Sequence, residues 1–433
     1  MSTTHDQVAG VVVPDVARSA GDVRAAGGRP RPVPEPAPPA RRGVLAAGLA
    51  GSAALAALIA AQHGAQLLVL FVLGLGLGLV LFHSRFGFTS AWRQLVAVGQ
   101  GSALRAHMLM LGAAAVLFAP LLAVGAGLFG TTPTPSVAPL GAGVVVGAFL
   151  FGVGMQVGGA CASGTLFAVG SGQTSILLTL AGFVGGSVVG AAVWGLFTQD
   201  LPALPGVDLA ASRLGYPGAL VVSLLVMALV VVATRAWERR RGAPPAGRPP
   251  TAQGWARVVR GSWPLAVGAV LLAALNAATL LVKGSPWGVT SAFALWGSKI
   301  AQVLGVDVTG WRYWADPGRA ASLEAPVLSD ATSVMNIGIV LGALVASAAA
   351  GTFVLHRGIP PRLAVGAVLG GVLMGIGARI AYGCNIGAYF GGIASFSLHG
   401  WLWGLLAVAG TVVGLRLRPW FGLANPKPTD SVC

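Results

Sequence analysis

Gly152-Val-Gly-Met-Gln-Val-Gly-Gly-Ala-Cys161-Ala-Ser-Gly-Thr-Leu-Phe167 and Gly375-Ile-Gly-Ala-Arg-Ile-Ala-Tyr-Gly-Cys384-Asn-Ile-Gly-Ala-Tyr-Phe390 are the two segments on which the reading of this chain turns. At a constant offset of 223 residues, Gly152, Gly154, Cys161, Gly164 and Phe167 fall on Gly375, Gly377, Cys384, Gly387 and Phe390. Each segment ends a long apolar run and precedes another. A thiol repeated at equivalent points of a duplicated chain points to one site, or one path, built from both halves.

The surroundings of these segments set the fold class. The chain is 55% hydrophobic and only 9% charged, with a mean hydropathy of +0.80; soluble domains carry roughly 25% charged residues. Apolar runs of about 20 residues recur, as bilayer-spanning helices require, and alternation of period two is rare, which argues against a barrel. The expected fold is an all-α polytopic membrane protein. Spans fall near 44–61, 66–83, 106–129, 138–157, 174–197, 216–235, 262–282, 332–354, 363–382 and 399–415, about ten in all.

A second pair of motifs makes the duplication explicit. Phe86-Gly-Phe-Thr-Ser-Ala-Trp92 matches Trp287-Gly-Val-Thr-Ser-Ala-Phe293 at an offset of 201, so the second half holds extra residues between its motifs, supplied by Gly305–Asp330. Trp311, Tyr313 and Trp314 in that insertion are expected at the outer interface. The two motifs lie five crossings apart, and an odd number inverts the second half. Inverted repeats with midplane sites at their interface are a common transporter architecture. The expected division is a disordered cytoplasmic tail over 1–42, an extra helix over 43–65, repeat one over 66–215, a linking helix and basic linker over 216–261, repeat two over 262–418, and a tail over 419–433.

The net charge of +15 does not imply nucleic-acid binding, because the arginines gather in tails and loops. Cytoplasmic loops collect Lys and Arg. With the N-terminus inside, Arg85, Arg93 and Arg105, the seven arginines of 235–260, Arg357 and Arg362, and Arg416 and Arg418 all fall on the cytoplasmic side. Both termini are therefore expected in the cytoplasm of a bacterial cell, with the chain in the plasma (inner) membrane. Residues 1–42 lack the apolar core of a cleaved signal peptide. Three cysteines give no disulfide framework, and Cys433 reads as an incidental thiol.

The cysteine segments are Gly-rich, which permits non-helical turns. Such backbone is tolerated at membrane depth only where protein buries it or it lines a cavity. A short re-entrant helix is expected in each half, with free N–H groups that attract an anion. Candidate substrate-binding residues are Cys161, Cys384, Arg379, Gly383, Asn385, Gly387, Ser163, Gly164 and Gln156. A thiol is a weak hydrogen-bond donor and, as thiolate, a nucleophile; both suit a sulfur-containing substrate. Arg379, whose counterpart is Gln156, is a charge inside an apolar span, read as compensating an anionic substrate or as snorkelling from a helix end. Lys283 and Lys299 read as interfacial anchors, and His399 as a helix-end residue. Thr89-Ser90 and Thr290-Ser291 read as helix starts or as lining of the path. Asp200, Asp208 and Asp330 look like loop or helix-end positions, leaving few groups for proton coupling. No metal, cofactor, nucleotide or hydrolase motif is present, so no enzymatic activity is expected.

Gly-Gly-Ala-Cys161-Ala-Ser-Gly, the Arg379–Cys384 segment running on to Ser-Leu-His399-Gly-Trp401, and the paired Thr-Ser-Ala motifs resemble the YeeE/YedE family of sulfur-compound transporters over residues 66–418. The resemblance implies thiosulfate import through an hourglass-shaped helical protein whose short re-entrant helices meet at a constriction. It also implies that Cys161 and Cys384 hand the anion along through S–H hydrogen bonds or transient sulfur exchange. Many members carry a further cysteine in a Phe-Cys-Phe pattern where Gly87 stands here, and Gly288 stands in the other copy, so two relay thiols are expected rather than three. Alternative readings of the same residues are transport of another sulfur or selenium compound, a persulfide carrier serving a cytoplasmic sulfur acceptor, and a passive anion channel with incidental thiols.

Overall fold

The computed structural model describes residues 38–244, 254–261, 263–356 and 358–427. Most of the expected N-terminal tail, and Cys433, lie outside the described residues. Helices run in the order α1 (Arg42–Ser84), α2 (Phe88–Val98), α3 (Ser102–Val124), α4 (Ala142–Val157), α5 (Ala162–Gly170), α6 (Ser175–Ala192), α7 (Gly215–Arg241) and α8 (Trp255–Arg260). They continue as α9 (Leu265–Lys283), α10 (Thr290–Val303), α11 (Pro317–Glu324), α12 (Ala331–Ala349) and α13 (Pro361–Ile380). A π-helix at Asn385–Phe390 then leads into α14 (Gly391–Ala394), α15 (Leu398–Leu417) and a 3₁₀ turn at Arg418–Phe421. One two-residue ribbon, Leu140–Gly141 with Ala203–Leu204, is the only sheet among the described residues. The chain is an all-α polytopic membrane protein, with nine helical stretches long and apolar enough to cross a bilayer among the described residues.

The first of these stretches holds two passes. Straight, the 43 residues of α1 would span about 65 Å at 1.5 Å per residue, twice a bilayer core. Gly64 breaks the helix with φ 82° and ψ −179°, a conformation that glycine enters without a Cβ clash. Before Gly64, Arg41 N–H donates to Ala348 O and Gly48 lies on Val345 and Leu344, so this arm runs antiparallel to α12; after it, Gly74 lies on Met335 and Gly78 on Ile339, so this arm runs parallel to α12. The helix is a hairpin, and the runs near 44–61 and 66–83 are separate crossings.

Two faces of the molecule follow from the same contacts. The first face gathers the start of α1, its end (Ser84 beside Gly268 at the start of α9) and the end of α12. The second holds the Gly64 turn, where Gln66 donates to Val282 O near the end of α9. The loop 125–141 is tied to this second face by Leu128 N–H to Leu281 O and Thr134 N–H to Gly284 O, each at 2.8 Å.

Close backbone approach holds the bundle together. In lipid there is little hydrophobic drive between helices, so packing of small residues substitutes for it. A Cβ on Gly186 would strike the backbone of Val372, and one on Gly375 that of Phe183 and Ser187; α6 and α13 thus meet backbone to backbone. Packing is reciprocal: α1 lies on α12 as α9 lies on α3, α13 on α6 as α4 on α15, and α10 on α6 as α2 on α15. Each stretch following a Thr-Ser-Ala or cysteine motif is a short helix, enclosed by these long ones.

Three expectations change. Tyr313 and Trp314 are buried rather than interfacial, packed with Ala294, Leu295 and Leu323 and edge-on to Trp194, because the insertion folds back over α6 and α10. Lys299 does not reach for headgroups. Its Nζ donates to Leu323 O at 2.6 Å and Ala325 O at 2.8 Å, closing the C-terminal end of α11, where a cation opposes the helix dipole. Lys283 donates to Thr332 Oγ1 at 3.2 Å and so links α9 to α12. Asp330 caps α12 by accepting from Ser333 N–H at 2.7 Å, and Asp200 pairs with Arg312, both at the loop or helix-end positions expected.

Candidate functional site

The two cysteines occupy the same structural position. After α4, Gly158-Gly159-Ala160 turns the chain, with Gly159 at φ 82°, into Cys161, the N-cap of α5 at φ −88° and ψ −175°. After α13, Tyr382 at φ 60° and Gly383 at φ 151° turn it into Cys384, the N-cap of the π-helix at φ −92° and ψ −169°. A non-glycine in the left-handed region is strained. The Tyr382-Gly383 turn therefore spends conformational energy to aim a thiol.

Both thiols are buried, Cys161 at 1% and Cys384 at 0% exposure, and both belong to one continuous apolar core. The two short helices touch. The first intrahelical bonds, Thr165 N–H to Cys161 O at 2.7 Å and Ala388 N–H to Cys384 O at 2.8 Å, begin one turn in. The amides before them have no helical acceptor and give the start of a helix its partial positive charge. One of these, Ile386 N–H, donates to Cys384 Sγ at 3.4 Å. Cys161 Sγ lies 3.8 Å from Ser163 Oγ. Chemically, the centre offers two S–H groups and helix-start amides, one of them already on Cys384 Sγ.

Space opens beside each thiol. A Cβ on Gly387 would meet nothing within 4 Å, and Gly387 is only half-buried; Ser136 on the second-face loop donates to its carbonyl at 3.4 Å. Asn385, fully buried next to Cys384, has neither amide atom partnered. On the other side, Gly159 is exposed beside Ile176 at the start of α6. Gly164 is tight instead: a Cβ there would lie 3.2 Å from Cys161 Sγ.

Gln156 and Arg379 brace the short helices of the Thr-Ser-Ala motifs. Gln156 Nε2 donates to Thr89 O at 3.2 Å, and Arg379 Nη2 donates to Thr290 O at 2.8 Å. Arg379 is 7% exposed and also donates to Tyr313 OH, with its guanidinium 4.9 Å from the Tyr313 ring centre. It does not snorkel. Asn276 and Asn336 hold the same segment, at Trp287 N–H and Val289 O. Thr89 and Thr290 lie in the first turns of α2 and α10, neither of which has a side-chain cap. His399 is the second residue of α15, paired through Nδ1 with Ser397 Oγ at 2.7 Å.

Other contributors went unread in the sequence. Trp92 stands 5.6 Å from Tyr389 and 6.2 Å from Trp403 between ring centres, so a wall of rings joins α2, the π-helix and α15. Trp92 and Tyr389 lie inside the repeated motifs, which was the available signal. Tyr313 had none, since the other half has no equivalent insertion.

The chain matches a family model described as sulphur transport over residues 83–413. It is 36% identical over 135 residues to the probable transporter YedE of Salmonella typhimurium, covering 31% of this chain and 33% of that protein, so the alignment spans only about a third of that relative. It is 27% identical over 350 residues to the thiosulfate transporter TsuA of Spirochaeta thermophila, covering 78% and 95%. TsuA of Escherichia coli is 25% identical over 371 residues, covering 82% and 94%. With the family model extending from the end of α1 to well inside α15, through both cysteine segments, the chain belongs to the sulphur transport family.

Proposed function

We propose that this protein imports a small sulfur anion, thiosulfate, across the plasma (inner) membrane, passing it between Cys384 and Cys161. The observation that carries this reading is the pair of buried, N-capping thiols in one core, each beside a glycine that leaves space. Gly387 opens toward the second face and Gly159 toward the start of α6, so the thiols form the narrow point between two approaches. The resemblance of the chain to the TsuA relatives, which bear the name thiosulfate transporter, supports the choice of anion.

In this reading residues 66–215 and 262–418 are inverted repeats, supported by the reciprocal packing of their helices. The first face is cytoplasmic, supported by the arginines of 235–260 and by Arg416. The anion enters beside Gly387, where Asn385 and the amides of the π-helix start receive its oxygens. The Cys384 S–H donates to the terminal sulfur, and the Cys161 S–H takes over from it. Both thiols stay protonated and no covalent bond forms, so no reductant is required. Arg379 serves through Thr290 and Tyr313, fixing α10 beside the path.

Growth on thiosulfate as sole sulfur source tests the reading, in cells lacking their own importers. Wild type supports growth, and Cys161→Ser and Cys384→Ser at equal protein level do not. Growth with either serine variant at the wild-type rate would sink the relay.

A further inference from the structure

Arg418, just past the first-face end of α15, and Arg93, on α2, are linked through Gln156 of α4 and form no ion pair among the described residues. Arg418 is 5% exposed. Its Nη1 donates to Gln156 O at 2.7 Å and its Nη2 to Ala424 O at 2.8 Å, while its Nε is buried with no partner. The charges of Arg93 and Arg418 are close enough to repel one another. Among the described residues the ion pairs are Arg105–Glu238 and Arg312–Asp200, so neither arginine is neutralised by a carboxylate.

Gln156 bridges the two elements, its side chain on Thr89 O and its own carbonyl under Arg418. Thr89 and Arg93 are four residues apart on α2, hence on one face, a turn apart. Thr89 Oγ1 and Gln156 Oε1 are buried and unpartnered, so the polar atoms continue from the Cys161 segment to the arginines. A role as cap for the end of α4 accounts for Nη1 of Arg418, and a tie to the segment after the 3₁₀ turn accounts for Nη2. Neither role accounts for the unpartnered Nε or for a second like charge near the first. Two partly desolvated cations in repulsion cost free energy that a bound anion offsets, and guanidinium forks match tetrahedral oxyanions.

We propose that Arg93 and Arg418 form a binding site for a small divalent oxyanion at the first-face mouth, where the transported anion is held after it leaves Cys161. The proposal rests on the transport reading for its role in release, but not for binding itself. The site reads oxygen geometry and charge and is indifferent to the terminal sulfur, so sulfate occupies it as thiosulfate does.

Purified full-length protein in detergent, titrated with sodium sulfate against sodium chloride at matched ionic strength, provides the test by thermal melting. Sulfate raises the melting temperature of the wild type and equally of the double variant Cys161→Ser/Cys384→Ser. Arg93→Gln, which removes no hydrogen bond and relieves the repulsion, melts no lower than the wild type without sulfate and needs about thirtyfold more sulfate for the same shift, the loss expected when a buried charged partner is removed. Arg93→Lys keeps the charge, loses the fork and falls between them. No sulfate shift in the wild type, or an undiminished one in Arg93→Gln, overturns the proposal. Sulfate binding with these features but no thiosulfate uptake would overturn the transport reading and leave this site standing.

Discussion

Arg379 donates to the carbonyl of Thr290 at 2.8 Å, the contact that Gln156 makes with Thr89 in the other half of the chain. Both donors stand five residues before a cysteine. Each therefore ties the helix that ends at a thiol to the first turn of a neighbouring short helix. In the second half the tie is an arginine, and the extra reach of its fork is taken up by Tyr313.

Arg379→Ala leaves Thr290 O and Tyr313 OH without their donor in a dry core. It lowers stability by roughly 2–3 kcal/mol, the scale of a hydrogen bond to a charged group. Arg379→Gln, which installs the residue of the other half, loses less. Melting of the purified variants checks the order. Full stability with lost uptake in Arg379→Ala would assign the side chain to the anion instead.

Gly387→Ala fits the space beside Cys384 and leaves melting unchanged, since nothing lies within 4 Å of its Cβ. Uptake falls by about tenfold if the methyl adds about 1.4 kcal/mol to passage. Unchanged uptake would move the path away from this glycine.

Gly186→Leu drives a side chain into the backbone of Val372 and costs about 3 kcal/mol or more, at the upper end for overpacking. Yield of monodisperse protein on gel filtration reads this directly. A normal yield would mean that α6 and α13 are not held by backbone contact.

The turn at Gly64 puts both ends of α1 on one face. In a Cys433→Ser background, Arg42→Cys and Arg85→Cys react with a membrane-impermeant maleimide from the same side of oriented vesicles. Labelling from opposite sides would contradict the hairpin.

Much of this was legible in the residues. The repeated cysteines and Thr-Ser-Ala motifs located the short helices, because a Gly-rich break in an apolar run has few alternatives at membrane depth. The Gly64 hairpin was legible as two adjacent apolar runs, although a single helical stretch joins them. Contacts between distant segments were not. Tyr313 meets Arg379 across 66 residues and Arg418 meets Gln156 across 262; no periodicity links them. The arginines of α2 and the chain end read as topology signals, since a cytoplasmic arginine and an anion ligand have the same sequence signature. Lys299 misled for the same reason: a cation near a span end looks like an anchor until its carbonyl partners are seen.

Passage of a sulfur anion between two buried thiols requires both of them. The measurement is uptake of radiolabelled thiosulfate into proteoliposomes, with the wild type, Cys384→Ser, Cys161→Ser and the double variant at equal reconstitution. A thiol relay gives uptake by the wild type alone, with each single variant as inactive as the double. Uptake by the double variant at the wild-type rate would contradict it.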